Sequence, residues 1–174
     1  MRVEEGSKAP IFEVKDLFEN KILLENYTNK RLLLSFYRYA SCPLCNLRIA
    51  QLIQHYDELS SKGLSIIAFF QSPKESIQEY VGKQDVPFAI IPDPERRIYR
   101  LYGIESSWFG YIRGGLSFSM IKALMSGFMF GKMEGRKNLL PADFLIEDLV
   151  VKRAYYGKKI SDHIPLEEIL TLID

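Results

Sequence analysis

The chain has 174 residues, 47% of them hydrophobic, which is enough for one well-buried core and too little for a second independent domain. Lys and Arg number 23 against 22 Asp and Glu, a net charge of +1, so nothing electrostatic favours nucleic acid or an anionic membrane. The opening MRVEEGSKAP lacks the apolar run of a signal peptide, and no uncharged apolar stretch reaches the roughly 18 residues of a membrane span. Two cysteines are too few for a secreted disulfide framework, so a soluble cytoplasmic protein is expected.

In chain order, IFEVKDLFENKILLENY reads as two short strands around a polar turn at Glu19-Asn20. RLLLSFYR (31–38) is the short, continuous apolar run of a buried strand. From Pro43 to about Leu59 much of the apolar set, including Leu44, Leu47, Leu52, Tyr56 and Leu59, follows helical spacing. Gly63 stands just past that helix, where a left-handed cap is wanted. LSIIAFFQ (64–71) is a second buried strand, and Ser72-Pro73 opens a helical segment, KESIQEYVGK. PFAIIPD (87–93) reads as a third strand, followed by a helix, PERRIYRLYG, ending near Gly103. After a long intervening segment, ADFLIED and VVKRAYYG form a hairpin pair, and PLEEILTLI is a last helix. Strand and helix alternate and then give way to a hairpin, which predicts an α/β fold with a central mixed sheet flanked by helices. The expected organisation is a single domain, 1–174, with an N-terminal hairpin and a helical insertion at about 105–138.

Both cysteines, Cys42 and Cys45, fall in FYRYASCPLCNLRIAQL (36–52), where a strand ends and a helix begins. A redox pair, half of a metal site and two buried small hydrophobes are the competing readings. Free backbone amides and the helix dipole stabilise an anion at a helix start. A thiol there drops from about 8.5 into the roughly 3.5–7.5 range of activated cysteines. Pro43 suits the first helical turn, where its missing N–H is no loss. Cys45 lies about one turn further on, within reach of a sulfur bonded to Cys42. Cys42 is then the attacking thiol, forming a mixed disulfide or sulfenic acid, and Cys45 resolves it.

A structural zinc site needs four ligands, and His55 and His163 have no ligand-like spacing. An iron–sulfur cluster needs more cysteines. No metal, nucleotide or other cofactor is implied, and redox is the favoured reading. Pro141 in NLLPADFLI directly precedes the fourth core strand, where a cis proline would present backbone groups to an extended substrate.

SSWFGYIRGGLSFSMIKALMSGFMFGKMEGRKN (106–138) holds the only Trp, Trp108, four of the five Met and the pair Gly114-Gly115. From Leu116, the residues Met120, Ile121, Leu124, Met125, Phe128 and Met129 make a broad apolar stripe on a helix. Packing on the core is the favoured reading. A hydrophobic lid over Cys42 or a subunit contact giving a homodimer is a second. Membrane-surface contact through Arg113, Lys122 and Lys132 is a weaker third.

GSKAPIFEV, LLLSFYR, IIPDPERRIYRLYGI and PADFLI, in that order, resemble the peroxiredoxins of the alkyl hydroperoxide reductase/thiol-specific antioxidant (AhpC/TSA) family. The resemblance covers nearly the whole chain except about 105–138 and implies a thioredoxin-like fold with Cys42 as the reactive thiol. It also implies an antioxidant activity, and it matches Pro141 to the cis proline of thioredoxin-like relatives. Typical members carry Pro and Thr or Ser where this chain has Ser35 and Tyr39, and an Arg where it has Pro141. CPLC itself looks like the CxxC of thioredoxins and glutaredoxins. The expectation is a thiol-dependent oxidoreductase acting on a disulfide or a peroxide and re-reduced by an external thiol. Tyr39, Pro43 and Pro141 are then the substrate-side residues. A non-catalytic interaction module using 106–138 is the alternative.

Overall fold

The structure is a computed structural model and describes residues 2–106, 112, 118–128 and 131–174. Trp108, Arg113, Gly114, Gly115, Leu116 and Met129 lie outside the described residues. The N-terminal hairpin pairs β1 (Glu13–Lys15) with β2 (Lys21–Leu23). Its turn uses Glu19 at φ +65°, held because the Asp16 carboxylate accepts from the amides of Phe18 and Asn20 at 2.8 and 2.9 Å.

The main sheet has five strands, β3 (Arg31–Phe36), β4 (Leu64–Phe70), β5 (Ala89–Pro92), β6 (Ala142–Glu147) and β7 (Val150–Tyr156). Their order is β5-β4-β3-β6-β7, with β3, β4 and β5 parallel and β6 and β7 antiparallel. β3 is central and covered on both faces, which explains its unbroken apolar run. Leu32, Leu34 and Phe36 join Phe12, Phe69 and Phe144 on one face. Leu33 points the other way, to Leu52, Leu59 and Ile169. Phe36 stacks on Phe69 with ring centroids 4.6 Å apart, tying the two central parallel strands through their side chains.

Helices among the described residues include α1 (Pro43–Gln54), α2 (Tyr56–Ser61), α3 (Lys74–Tyr80), α4 (Arg97–Leu101), α5 (Phe118–Met125) and α6 (Leu166–Ile173). The single helix expected from Pro43 to Leu59 is broken at His55, at φ −102° and ψ 7°. Beyond the break Leu59 keeps its place beside Leu33 and Leu52. Gly63 and Gly103 take the left-handed conformation, at φ +78° and +64°. The helix expected from Pro94 starts only at Arg97, because the Asp93 carboxylate accepts from the amides of Arg97 and Ile98 at 2.9 and 2.7 Å. No helix among the described residues is long and apolar enough to cross a membrane.

The expectation of a cis bond before Pro141 is not met: the Leu140–Pro141 peptide is trans. The chain enters β6 in extended form, with the Leu140 amide on the Glu105 carbonyl at 3.1 Å and the Pro141 carbonyl taking the Gly157 amide at 2.9 Å. Gly157 is needed there, since a Cβ would stand 2.9 Å from the Pro141 carbonyl oxygen and 2.5 Å from that of Asp162.

Candidate active site

After β3 the chain turns through Tyr37–Ser41 and enters α1 with Cys42 as its N-cap. The Cys42 sulfur accepts from the Cys45 amide at 3.4 Å, and Pro43 occupies the first helical turn. Asn46 braces the turn from inside, donating to the carbonyls of Ala40 and Cys42 at 2.6 and 3.0 Å. Its own side-chain oxygen takes a hydrogen bond from Gln84 at 2.8 Å. The Ala40 amide donates to Ser72 Oγ at 2.9 Å. The backbone presenting the cysteines is therefore fixed on two sides.

The main electrostatic feature is Arg38, only 1% exposed. Its Nη2 donates to Cys42 Sγ and to the Tyr39 hydroxyl, each at 3.1 Å. Its guanidinium carbon lies 4.8 Å from the centre of the Tyr39 ring. Nη1 donates to the Lys137 carbonyl at 3.1 Å.

Burial alone would raise the Cys42 thiol. The hydrogen bond from the Cys45 thiol, the charge of Arg38, the Cys45 amide and the Arg38 hydrogen bond outweigh it and bring Cys42 from 9.0 down to about 6. Burial, the hydrogen bond to Cys42 and the Cys42 charge push Cys45 well above its ordinary value. The two cysteines thus divide into a thiolate at the helix cap and a thiol one turn along, both unbridged. This division suits a nucleophile and its resolver.

The site is covered. Cys42 is 0% and Cys45 2% exposed. Met120 and Ala123 of α5 pack into the same cluster as both cysteines, Leu44 and Ile49. Beside them, 131–137 crosses the site as a strap. Ser41 Oγ donates to the Lys132 carbonyl at 2.6 Å, and Ser76 Oγ to the Glu134 carboxylate at 2.7 Å. Gln71 makes a reciprocal pair with the backbone of Arg136, at 2.7 and 2.9 Å.

Of the residues expected from sequence, Cys42, Cys45, Tyr39 and Pro43 come together here. Pro141 is buried and lines a crevice with Arg2, Ile104 and Tyr156, while its neighbour Leu140 packs against the cluster around the cysteines. Arg38 was legible only as a basic residue close to Cys42; its direct contact with the sulfur was not. Asn46, Gln71 and the strap carried no motif.

A second buried polar set sits on the far side of Tyr37. Asp143 accepts from Ser35 Oγ at 2.5 Å and from the Ile164 amide at 2.7 Å, and His163 Nδ1 lies 3.1 Å from both its oxygens. Arg48 donates to the Ile164 carbonyl at 2.7 Å. Burial works against the Asp143 carboxylate, but His163, Arg48 and Ser35 hold its pKa below the ordinary value. The Tyr37 ring lies 4.9 Å from that of His163.

Comparison with known proteins agrees with the fold. Rv2521 of Mycobacterium tuberculosis (strain ATCC 25618 / H37Rv), a candidate peroxiredoxin, is 26% identical over 102 residues, 59% of this chain and 65% of its own. The match therefore spans a little less than two thirds of that relative's length. Peroxiredoxin Bcp of Escherichia coli (strain K12) is 24% identical over 113 residues, 64% of this chain and 72% of its own. The crystal structure of peroxidoxin BcpB from Mycobacterium tuberculosis superposes with a TM-score of 0.72 at 13% identity, covering 99% of this chain and 97% of the other. That of a candidate thiol:disulfide interchange protein DsbE from Chlorobium tepidum gives 0.68 at 19%, covering 99% of each. Both establish a thioredoxin-like fold. The AhpC/TSA family profile matches residues 6–148, so the chain belongs to the AhpC/TSA family.

Proposed function

We propose that this protein is a thiol-dependent, antioxidant oxidoreductase that reduces peroxides through a Cys42–Cys45 dithiol/disulfide cycle. One observation carries the reading: Arg38 Nη2 and the Cys45 amide converge on a Cys42 sulfur whose pKa is lowered, beside a Cys45 held as thiol. The Cys42 thiolate attacks one peroxide oxygen, the O–O bond breaks, and the leaving oxygen departs as hydroxide or alkoxide, leaving Cys42 as sulfenic acid. Arg38 and the Tyr39 hydroxyl supply donors for the charge that develops on the oxygens. Cys45 then gives up its proton and attacks the sulfenic sulfur; the Cys42–Cys45 disulfide forms and water leaves. An external dithiol restores both thiols and is itself oxidised to a disulfide.

Pro43 sets the helix start that aims the cap, and the chain works as one domain, 1–174. A cycle that ends in reduction by an external thiol suits the cytoplasm. Self-association through 106–138 is supported by Phe118 and Met125, which are 81% and 84% exposed on α5.

The test is to mix the reduced protein with hydrogen peroxide while counting thiols. Wild type should lose two, Cys42→Ser should resist, and Cys45→Ser should stop at a sulfenic acid that a dimedone probe captures. A Cys42→Ser protein consuming peroxide as fast as wild type would refute the reading. Cysteines inert to both peroxide and disulfide would return the protein to the class of interaction modules.

A further inference from the structure

A nucleophile with no exposed surface takes the substrates that its cover admits. The strap 131–137 is hydrogen-bonded to Ser41, next to Cys42 in the chain, and to Arg38, whose other arm is on the Cys42 sulfur, and the way it is held differs from the rest of the fold. Among the described residues, it has no backbone–backbone hydrogen bond to another element. Its attachments come instead from side chains: Ser41 to Lys132, Ser76 to Glu134, Gln71 to Arg136 and Arg38 to Lys137. Its own Lys132, Met133, Arg136 and Lys137 face outward, so little apolar surface would be uncovered if it moved.

Two glycines suit this arrangement. Gly131 lies where a Cβ would run into the Tyr80 hydroxyl. Gly135, at φ +65°, lets Gln71 come close, since a Cβ would stand 2.6 Å from the Gln71 Oε1. Arg38 links strap and sulfur directly: one arm is on Cys42 Sγ and the other on the Lys137 carbonyl. The position of the strap therefore bears on the aim of the donor that stabilises the thiolate.

We propose that strap 131–137 is a size gate over Cys42, with Gln71 as its principal latch. Closed, it admits hydrogen peroxide and short alkyl peroxides with Arg38 aimed at the sulfur. Bulky disulfides, including the disulfide of a protein partner, reach Cys42 only when the strap lifts. The substrate assignment rests on the thiol chemistry proposed above; the gate itself is a property of access and is testable without turnover.

The experiment compares alkylation of Cys42 by iodoacetamide and by fluorescein maleimide in wild type, Gln71→Ala, Gln71→Glu and Ser76→Ala, with the modified sulfur located by fragmentation mass spectrometry. Loss of the Gln71 latch should accelerate the bulky probe by on the order of 10-fold and the small one by less than about threefold, as expected for a local opening. Gln71→Glu keeps the acceptor for the Arg136 amide and loses the donor to its carbonyl, so its rate should fall between. Ser76, on α3, makes no hydrogen bond to the sulfur; Ser76→Ala should shift the same ratio in the same direction and serves if the Gln71 variants fold poorly. Equal acceleration of both probes, or of neither, overturns the gate and leaves the peroxidase reading standing. Size-selective alkylation by a Cys42 that ignores peroxide would do the reverse.

Discussion

Arg38 supplies the positive charge that acts on Cys42, alongside the hydrogen bonds from Cys45. A guanidinium this deeply buried is costly unless charge and hydrogen bonds compensate it, and here the thiolate, the Tyr39 hydroxyl and the Lys137 carbonyl do so. Arg38→Met keeps most of the bulk and removes the charge. Burial then acts on Cys42 with less opposition, so its pKa should rise and the peroxide rate at neutral pH should fall by on the order of 10-fold or more. Thiolate absorbance in the ultraviolet, titrated against pH, separates this from misfolding; an unchanged titration would remove Arg38 from the mechanism.

The wild-type profile follows from the same balance, the Cys45 hydrogen bonds and the Arg38 charge set against burial. With Cys42 near 6, reactivity should be low at about pH 5, rise through about 6 and level off above about 7, because the reactive form is the deprotonated one. A rise that begins only near the ordinary thiol value would mean that the Cys45 thiol, Arg38 and the Cys45 amide do not act on the sulfur as the geometry indicates.

At the scale of elements, the junction of β3 with α1 holds the cysteines, and Asn46 keeps that junction in shape. Asn46→Ala strips the Ala40 carbonyl of a buried donor; a buried acceptor left unsatisfied costs about 1–3 kcal/mol. The variant should therefore melt several degrees lower and react with peroxide more slowly, since Cys42 loses its fixed cap position. Slower reaction without a stability loss would point instead to a direct chemical role for Asn46.

This junction was readable in the sequence because local rules carry it. A strand covered on both faces needs an unbroken apolar run, as in Leu32–Leu34, and proline in a first helical turn marks the cap one residue earlier. Elements fixed by distant partners were not readable. The break at His55 leaves no mark in the apolar spacing. The late start of α4 depends on the Asp93 carboxylate taking the amides of Arg97 and Ile98. The strap is held by Ser41, Gln71 and Ser76, polar residues far from it in sequence with no periodicity to announce them. Pro141 shows the opposite error. Its place before β6 was right, but the trans bond and the carbonyl pairing with Gly157 belong to the β6–β7 ladder.

For the molecule as a whole, Asp143 ties together parts of the chain that meet only on folding. It sits on β6, takes hydrogen bonds from Ser35 on β3 and the Ile164 amide before α6, and faces His163. Removing one side of such a buried charged set generally costs about 3–5 kcal/mol, because the partners are left desolvated and unpaired. Asp143→Asn should approach that loss at neutral pH, with urea unfolding as the measure.

The pH dependence gives the sharper check. The folded-state pKa of Asp143 is depressed, so its contribution to stability is full above the unfolded carboxylate value of about 3.9 and is lost as pH falls through the folded value. A protonated Asp143 resembles asparagine in charge and shape. The unfolding midpoints of wild type and Asp143→Asn should therefore stand apart at about pH 6–7 and draw together below about pH 4 as the wild type loses its advantage. A gap that stays constant down to the acid limit would show that Asp143 contributes through packing and neutral hydrogen bonds, with its charge making no difference to how β3, β6 and the segment before α6 are held together.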